Sequence, residues 1–329
     1  MRIAVRISVI FWGLLLLTGV GYVIARLLHF RQIFFEHAGL ELTQAQVLDA
    51  YKESGPNSTR IQYIPKIIHQ VFHNWHDPGN DTLPTDWTEN VQKCVKLNPD
   101  FEFKLWTEKS SREFMEKEYP WFLRTYDGYH HKVQRVDAVR YFLLLHYGGI
   151  YMDLDNSCMT DLTPLLYYPV WITDGARGAL SNNILGATPN HPFWTHMTMS
   201  LIPYNYNYFF PYVTISYASG QWFETDVWQN YHASLPKPSA NPNIEHRLYR
   251  LIMDDRPTAD KWIFFTQERG GSWNNWDNRF FGWIGEHLFL FFLSLAGIVA
   301  LVSWSGLRCV RRYKTGYTRL RNSPVMSSV

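Results

Sequence analysis

The sequence has little cysteine, with only Cys94, Cys158 and Cys309 among 329 residues. Three cysteines exclude the dense disulfide framework that stabilises small secreted domains. A single bridge between Cys94 and Cys158 stays open as an alternative. The formal net charge is also small, at +2, and no basic stripe with interleaved aromatic residues occurs. The composition therefore predicts no nucleic-acid partner.

Acidic residues are absent after Glu286, and this absence bears on membrane topology. Residues 288–307 contain no charged side chain and are numerous enough to span a membrane. The charged residues behind them are all basic: Arg308, Arg311, Arg312, Lys314, Arg319 and Arg321. A basic flank on one side of a span is typical of the cytosolic side. We therefore predict a cytosolic C-terminus.

A second run without charge, residues 7–25, lies near the N-terminus between Arg6 and Arg26. Its length of about 19 residues is that of a membrane span. A cleaved signal peptide is the alternative, but no small-residue cleavage site follows cleanly. Two spans put both termini in the cytosol and the region between them in the lumen. The glycosylation sequons at Asn57 and Asn80 suit that orientation.

These features divide the chain into five segments. A turn-forming cluster at 55–58 separates a juxtamembrane stem from the globular domain. The predicted segments are a cytosolic N-terminus with its membrane anchor (1–28), the stem (29–60), a lumenal domain (61–286), a second transmembrane helix (287–307) and a basic cytosolic tail (308–329).

Strands and helices are predicted to alternate along the lumenal domain, from runs rich in β-formers and from helical apolar spacing. The predicted strands are 64–72, 101–106, 150–154 and 170–174. The predicted helices are 87–97, 110–119 and 133–147. This alternation predicts an α/β fold with a parallel-rich sheet and helices on both faces. Ligands of such sheets bind beyond the carboxyl ends of the strands.

The stretch 133–155 carries the most specific chemical signal. Its helix ends at the pair Gly148-Gly149 and leads into the strand at 150–154. Asp153 and Asp155 lie at the strand's end, two residues apart, so that an extended backbone points both carboxylates the same way. Paired hard oxygen donors suit a divalent cation, Mn²⁺ or Mg²⁺. The competing interpretation is a solvated turn.

Asp137 and Arg140 are charged residues on a helix that is otherwise built for burial. Buried charges are costly unless they pair or bind a ligand. The whole stretch resembles the signature R-x-D-A-x-R-Y…G-G-I-Y-x-D-x-D of DXD-type glycosyltransferases of family 32, and every position of that pattern is matched. The resemblance implies a GT-A-like Rossmann-type fold, a sugar-nucleotide donor and a retaining reaction. It also implies catalytic roles for Asp137, Arg140, Asp153 and Asp155.

Within that resemblance Asp155 binds the metal directly, Asp153 shares the metal or reaches the donor ribose, and Asp137 and Arg140 hold the sugar. The I-P-K-I-I-H-Q segment at 64–70 matches the family's opening motif, which implies nucleotide contacts for His69 and Gln70. A core histidine is an equal alternative for His69.

Two later segments also match the family. Asn183 is predicted to line the cleft, with a turn role as the alternative. The loop 270–278 resembles the family's G-S-W-H-x-x-D loop, which implies that Ser272 and Trp273 contact the donor diphosphate. Asn274 stands where many relatives carry His, so Asp277 or the Asn274 carbonyl oxygen is the candidate for a third metal ligand.

Two membrane helices around such a domain resemble the catalytic subunit of fungal mannosyl phosphorylinositol ceramide synthases. This implies transfer of mannose from GDP-mannose to inositol phosphorylceramide in the Golgi or ER membrane, beside a multi-spanning regulatory subunit. A Golgi α-mannosyltransferase acting on protein-linked N-glycans is one alternative. A non-catalytic lumenal subunit that binds sugar nucleotide or lipid is another, although the complete acidic and arginine set argues against it.

Residues 201–231 are unusually rich in Tyr, Phe and Trp. A core insert is the default interpretation. The alternative is an aromatic surface at the level of the lipid headgroups, with Trp222, Trp228 and nearby tyrosines as anchors.

Overall fold

The computed structural model describes residues 2–35, 37–54, 59–75, 77–236, 248–267 and 275–321. The chain divides into two compact units, Met1–Trp273 and Asn274–Val329. This division falls before residue 286, where the sequence predicted the lumenal domain to end.

The first unit is a mixed α/β domain preceded by one long helix. Its helices are α1 (Arg2–Phe35), α2 (Gln44–Ser54), α3 (Thr85–Leu97), α4 (Glu108–Glu118), α5 (Pro120–Asp127), α6 (Val133–Tyr147), α7 (Pro192–Tyr204), α8 (Pro211–Ala218) and α9 (Gln221–Ser234). Its strands are β1 (Leu40–Thr43), β2 (Ile67–Phe72), β3 (Glu102–Thr107), β4 (Gly149–Met152), β5 (Asn156–Cys158), β6 (Val170–Asp174), β7 (Ser181–Ala187), β8 (Tyr249–Ile252) and β9 (Phe265–Gln267).

Seven strands form one sheet in the order β1-β8-β6-β7-β4-β2-β3, and β5 pairs with β9. In the large sheet β7 is antiparallel to both its neighbours, and the other described pairs are parallel. The prediction of a parallel-rich sheet is confirmed. The strand β7 was not predicted, because its asparagines favour turns. It packs closely because Gly186 leaves room for the indole of Trp171, from which an added Cβ would lie only 2.2 Å.

Apolar clusters cover both faces of the sheet. Adjacent residues of β4 contribute to opposite clusters, Tyr151 to the one formed with α6, α7 and α9, and Ile150 to the one formed with α2 and α3. This is the alternation that a strand imposes on successive side chains. The predicted placement of helices on both faces is confirmed.

Part of the predicted stem folds into the domain. Strand β1 pairs in parallel with β8, Leu40 opposite Tyr249. Val47 of α2 is fully buried in the core beneath the sheet. The Gln44 side-chain oxygen accepts backbone hydrogen bonds from Ile263 and Phe264 at 2.8 and 2.9 Å. The stem prediction is therefore corrected for residues 40–54, because their apolar side chains complete one edge of the sheet.

The glycine pair between α6 and β4 adopts backbone angles that other residues rarely reach. Gly148 has φ +65° and Gly149 has φ +91°. A Cβ at Gly148 would lie 2.6 Å from a Pro189 carbon, and one at Gly149 would lie 2.7 Å from the Ile67 carbonyl oxygen. This close turn fixes where the strand that leads to Asp153 begins.

A disulfide joins Cys94 of α3 to Cys158 of β5. The pairing that the sequence left open is confirmed. Because β5 directly follows Asp155, the bridge fixes the acidic turn to a helix of the core.

The aromatic segment forms the end of α7, the loop 205–210, α8 and α9. Trp228 is fully buried and its indole N–H donates to the Ala38 carbonyl at 2.8 Å. Trp222 is also buried, with its ring centroid 5.3 Å from that of Phe30 in α1. The prediction that these two tryptophans face the membrane is wrong, because α1 and the segment after it cover them.

The second unit contains α10 (Asn278–Glu286) and α11 (Leu288–Arg321). Among the described residues, two helices are long and apolar enough to cross a membrane, Gly13–Phe35 within α1 and Leu288–Gly306 within α11. Both overlap the spans predicted from the sequence and indicate membrane association. Asn57 lies outside the described residues, whereas Asn80 lies in an exposed turn.

Candidate active site

Asp153 and Asp155 follow β4 directly, in a tight turn. The backbone N–H of Asn156 donates to the Asp153 carbonyl at 3.0 Å, and that of Asp153 donates to Asn183 at 2.9 Å. Both carboxylates are partly exposed. The backbone is therefore a turn, as the competing interpretation held, and it is held in place by β7 rather than being freely solvated.

Arg140 connects this turn to α6. Its guanidinium lies 2.9 Å from an Asp137 carboxylate oxygen and 3.4 Å from one of Asp153. It also donates to the Asn182 carbonyl at 2.6 Å and lies over the Tyr151 ring, 4.6 Å from its centroid. One buried cation thus organises two carboxylates that the sequence had separated into helix and turn.

Asp137 is buried, and both its oxygens have partners. In addition to Arg140, one oxygen accepts from the Asn182 amide at 3.1 Å, and the other accepts from the Ser219 hydroxyl at 2.9 Å. Tyr141 donates to the Ser219 carbonyl at 2.9 Å. The turn between α8 and α9 is therefore part of the same network.

Burial shapes the electrostatics of the network. Burial raises the pKa of Asp137 and of Asp153, and the Arg140 guanidinium opposes both rises. Burial alone would lower the pKa of Arg140, but Tyr151, Asp153 and Asp137 raise it above its ordinary value. Arg140 is therefore charged at every physiological pH.

Asp155 is the less compensated carboxylate of the pair. Burial, followed by the negative charge of Asp153, raises its pKa to about 6. Its side chain accepts a hydrogen bond from the Asn156 amide at 2.8 Å. A carboxylate held near another carboxylate favours a cation in front of both.

The donor set fits a hard divalent cation, since partly exposed carboxylate oxygens are what Mg²⁺ and Mn²⁺ prefer. Among the described residues, however, no group of three or more His, Cys, Asp or Glu side chains is arranged to hold a metal ion. Asp153 and Asp155 offer two carboxylates that stay candidate ligands. Asp277 lies in the second unit, directly before α10.

His69 on β2 has no exposed surface. Its Nδ1 accepts from the Trp106 indole at 3.1 Å, and its Nε2 lies 3.0 Å from the Gly148 carbonyl, to which it donates. Burial lowers its pKa to about 3, so the ring is neutral. With both nitrogens engaged, His69 supports the glycine turn, which is the alternative that the sequence allowed.

Gln70, its neighbour, differs. The side-chain nitrogen of Gln70 is buried and has no hydrogen-bond partner among the described residues. Buried amides are normally paired, so an unpaired one suits a missing ligand. The prediction that Gln70 contacts the nucleotide stays a prediction.

Asn183 lies on β7, where its side-chain oxygen accepts from Thr173 and Ser181 at 2.9 and 2.7 Å. Its amide reaches Asn156 at 3.4 Å, behind the acidic turn. Ser272, Trp273 and Asn274 lie outside the described residues.

Sequence reasoning missed two residues of the network. Ser219 holds Asp137, as described above. Glu224 on α9 is fully buried, and neither carboxylate oxygen has a hydrogen-bond partner in the described part of the chain. Burial raises its pKa to about 8, Arg140 opposes this rise and Asp137 adds to it. The burial argument used for Asp137 would have found Glu224, since it stands among Trp222, Phe223 and Val227.

Comparisons with known proteins identify the family. Residues 84–172 match the family described as "Glycosyltransferase sugar-binding region containing DXD motif". The chain is 35% identical over 271 residues to inositol phosphoceramide mannosyltransferase 3 of Schizosaccharomyces pombe, which covers 81% of this chain and 73% of that protein. It is 37% identical over 227 residues to mannosyl phosphorylinositol ceramide synthase CSH1 of Saccharomyces cerevisiae, covering 69% of this chain and 57% of the relative.

The chain thus spans less than two thirds of the length of the Saccharomyces relative. A solved structure titled PaToxG Glycosyltransferase is similar over 57% of this chain and 79% of that one, with a TM-score of 0.40 and 16% sequence identity.

Proposed function

Because this chain belongs to the family of fungal inositol phosphoceramide mannosyltransferases, we propose that it transfers mannose to the inositol head of inositol phosphorylceramide. The observation that carries the proposal is the Asp137–Arg140–Asp153 network beside Asp155, at the carboxyl end of β4. Its relatives carry names that state this activity or the corresponding synthase.

The proposed donor is GDP-mannose. Asp155, with Asp153, would hold a Mn²⁺ or Mg²⁺ ion, which when bound supplies positive charge to the donor diphosphate. The unpaired side-chain N–H of Gln70 would donate a hydrogen bond to the guanine. Ser272 and Trp273 are proposed diphosphate contacts on the resemblance alone.

Arg140 and Asp137 are proposed to orient the transferred sugar. Arg140 is held on three sides by protein oxygens, so it is pre-organised and costs little reorganisation when negative charge develops on the leaving group. Asp137 and Asn182 would form hydrogen bonds to sugar hydroxyls. They would use lone pairs and N–H groups that are not engaged by Arg140 or Ser219.

Retention of the anomeric configuration is proposed to follow a front-face route. A double displacement needs a carboxylate that is free to attack. Asp137 has partners on both oxygens, and Glu224 is fully buried and largely protonated near neutral pH. Asp153 accepts from Tyr151 at 2.5 Å, and Asp153 and Asp155 are assigned to the metal, so neither is proposed as the nucleophile.

The domain is proposed to face the lumen of the Golgi, with both termini in the cytosol and a multi-spanning regulatory subunit beside it. The Cys94–Cys158 disulfide supports an oxidising compartment. A protease added to sealed Golgi vesicles should digest a C-terminal tag and leave the domain that carries Asn80 protected. A protected C-terminal tag would reverse the orientation.

The activity is tested with the purified full-length protein in lipid nanodiscs. GDP-mannose and UDP-galactose are each offered with inositol phosphorylceramide, and a mannosylated N-glycan acceptor is offered in parallel. We expect a mannosylated lipid when GDP-mannose is the donor and no glycosylated lipid when UDP-galactose is the donor. Transfer to the glycan but not to the lipid would contradict the proposal and favour the glycoprotein enzyme.

A further inference from the structure

The end of α1 is fixed to the domain by aromatic packing. Ile33 is fully buried, and the rings of Phe30 and Phe34 lie 5.3 and 5.5 Å from that of Trp222. Phe30 also meets Tyr217 at 5.6 Å, in an edge-on arrangement. Helix α1 therefore does not end in a free linker but rests on α8 and α9.

Polar contacts reinforce this seat. His29 lies 3.2 Å from an Asp226 carboxylate oxygen of α9. Just beyond the helix, the Ala38 N–H donates to the Gln229 side chain at 3.2 Å, and His37 lies 3.3 Å from Asp174. The depth of α1 in a bilayer consequently sets the height of the domain above that bilayer.

The loop 205–210, between α7 and α8, exposes large aromatic side chains. Phe209 is 85% exposed and Tyr206 is 64% exposed. The loop itself is well braced, because the Tyr208 N–H donates to the buried Thr214 hydroxyl at 2.9 Å, and that hydroxyl lies 3.0 Å from the Tyr208 carbonyl. An ordered loop that holds such rings in water gains nothing from their exposure.

The position of Arg26 on α1 shows where this loop lies along the helix. The ring of Tyr208 lies 5.9 Å from that of Tyr217, which in turn meets Phe30, one helical turn after Arg26. Up to Arg26, the described side chains of the apolar stretch of α1 are exposed, as expected for a helix that meets lipid. A basic residue at the end of such a stretch lies at the headgroup level. The loop is therefore beside the helix at that level.

We propose that the loop 205–210 inserts Phe209 and Tyr206 into the headgroup region of the bilayer that α1 spans. The partner of this surface is lipid. The surface lies next to the exposed apolar stretch of α1, at the end of that stretch marked by Arg26. The sequence had suggested an aromatic membrane surface in this segment, with Trp222, Trp228 and nearby tyrosines as anchors; the tryptophans are buried, whereas the tyrosine at 206 is exposed.

The same loop is coupled to the active site. It leads into α8, whose eight residues span about 12 Å. The next residue, Ser219, donates to Asp137. Immersion of the loop would therefore place the Asp137 network close to the membrane surface. The value of this placement for a lipid acceptor rests on the proposed function, whereas the insertion itself does not.

The test measures insertion depth with the full-length protein in liposomes. In a Cys309→Ser background the single change Phe209→Cys provides the labelling site for an environment-sensitive fluorophore, since the other two cysteines are bridged. The matched control is Leu105→Cys, an apolar side chain 42% exposed on β3, at the opposite edge of the sheet from β1. Quencher-labelled lipids should reduce the emission at 209 several-fold more than at 105.

Equal quenching at both positions would overturn the proposal. So would a probe at 209 that resists lipid quencher and becomes shielded only when a membrane extract is added, because the surface would then belong to a partner protein.

A second readout uses the double variant Tyr206→Ser with Phe209→Ser. We expect a several-fold rise in KM for inositol phosphorylceramide in bilayers and unchanged hydrolysis of GDP-mannose. An unchanged KM would remove the coupling to the acceptor. If the wild-type protein transfers no mannose to the lipid at all, the proposed function fails while the depth measurement still decides the insertion.

Discussion

The α6–β4 junction and the α8–α9 turn meet at Asp137, but they differ in how they are encoded. The junction is made of residues close in sequence, Asp137, Arg140, Asp153 and Asp155, around one glycine pair. The α8–α9 turn reaches Asp137 from a distance of 82 residues through one Ser219 hydroxyl. The charged side chains proposed for catalysis lie in the junction, whereas the α8–α9 turn holds one of them, Asp137, and packs against α1.

This comparison predicts that changes in the junction abolish activity, whereas changes in the α8–α9 turn mainly alter stability and positioning. Four variants test the difference, in order of expected effect.

Arg140→Ala should have the largest effect. It leaves Asp137 and Asp153 without their common cation, and removal of one partner of a buried ion pair costs about 3–5 kcal/mol. Transfer should fall roughly 10²–10³-fold, as when a main source of charge stabilisation is lost. Mannose transfer and thermal unfolding are measured together. Arg140→Lys should fold better but stay impaired, and Arg112→Ala, at an exposed ion pair, serves as the control.

Replacement of both Cys94 and Cys158 by Ser should have the second-largest effect, a loss of domain stability. The bridge closes a stretch with a sequence separation of 64, for which loop entropy predicts about 4 kcal/mol. The unfolding temperature, measured in detergent, should drop clearly, and wild type should drop likewise under reducing conditions. If the serine variant unfolds at the same temperature as the oxidised wild type, the bridge does not stabilise the domain or its acidic turn.

Glu224→Gln tests the role of α9 by the pH dependence of the unfolding temperature. The pKa of Glu224 in the folded protein, about 8, lies above its ordinary value. The folded state thus binds a proton that the unfolded state releases, and wild-type stability falls as pH rises from about 4.5 to 8. The variant should unfold near the wild-type temperature at pH 5 and above it at pH 9. Glu113→Gln, at an exposed pair, should show no such divergence. If the unfolding temperatures of Glu224→Gln and wild type change with pH in parallel, Glu224 is not a buried, protonated carboxyl.

Ser219→Ala should have the smallest effect of the four. It removes one hydrogen bond to a charged partner, worth about 1.5–3 kcal/mol. We expect about a tenfold loss of kcat/KM with the fold retained, because Asp137 keeps Arg140 and Asn182. Steady-state kinetics provide the measurement, with Ser200→Ala as control, whose hydroxyl bonds only within its own helix. A loss as large as that of Arg140→Ala would place the α8–α9 turn in the chemistry itself.

The sequence allowed the fold class, the acidic pair and its buried partners to be predicted because their signals are local. Helical spacing, the glycine pair and two aspartates two residues apart all fall within 133–155. The antiparallel β7, the docking of β1 and the contacts of Ser219 could not be predicted in this way. Each depends on a partner far along the chain: β7 fits because Gly186 admits Trp171, and Ser219 matters because a distant helix brings it to Asp137.

The aromatic segment shows the same limit. Its composition indicated both a core insert and a membrane surface, and both occur. Trp222 and Trp228 are core because α1 and the segment after it cover them, whereas Phe209 stays exposed. Composition alone does not determine which ring is covered, because that depends on where the membrane helix rests.

Asp155→Ala decides whether the acidic turn after β4 is the catalytic centre of a mannosyltransferase. The raised pKa of Asp155, about 6, indicates that the fold holds its charge at a cost, so the variant should unfold at or above the wild-type temperature. Transfer from GDP-mannose to inositol phosphorylceramide should nevertheless fall at least ~10²-fold. Asp100→Ala, at a surface pair with Lys66, should transfer at the wild-type rate. If Asp155→Ala transfers mannose at the wild-type rate while divalent ions are chelated, the acidic turn is not the catalytic centre.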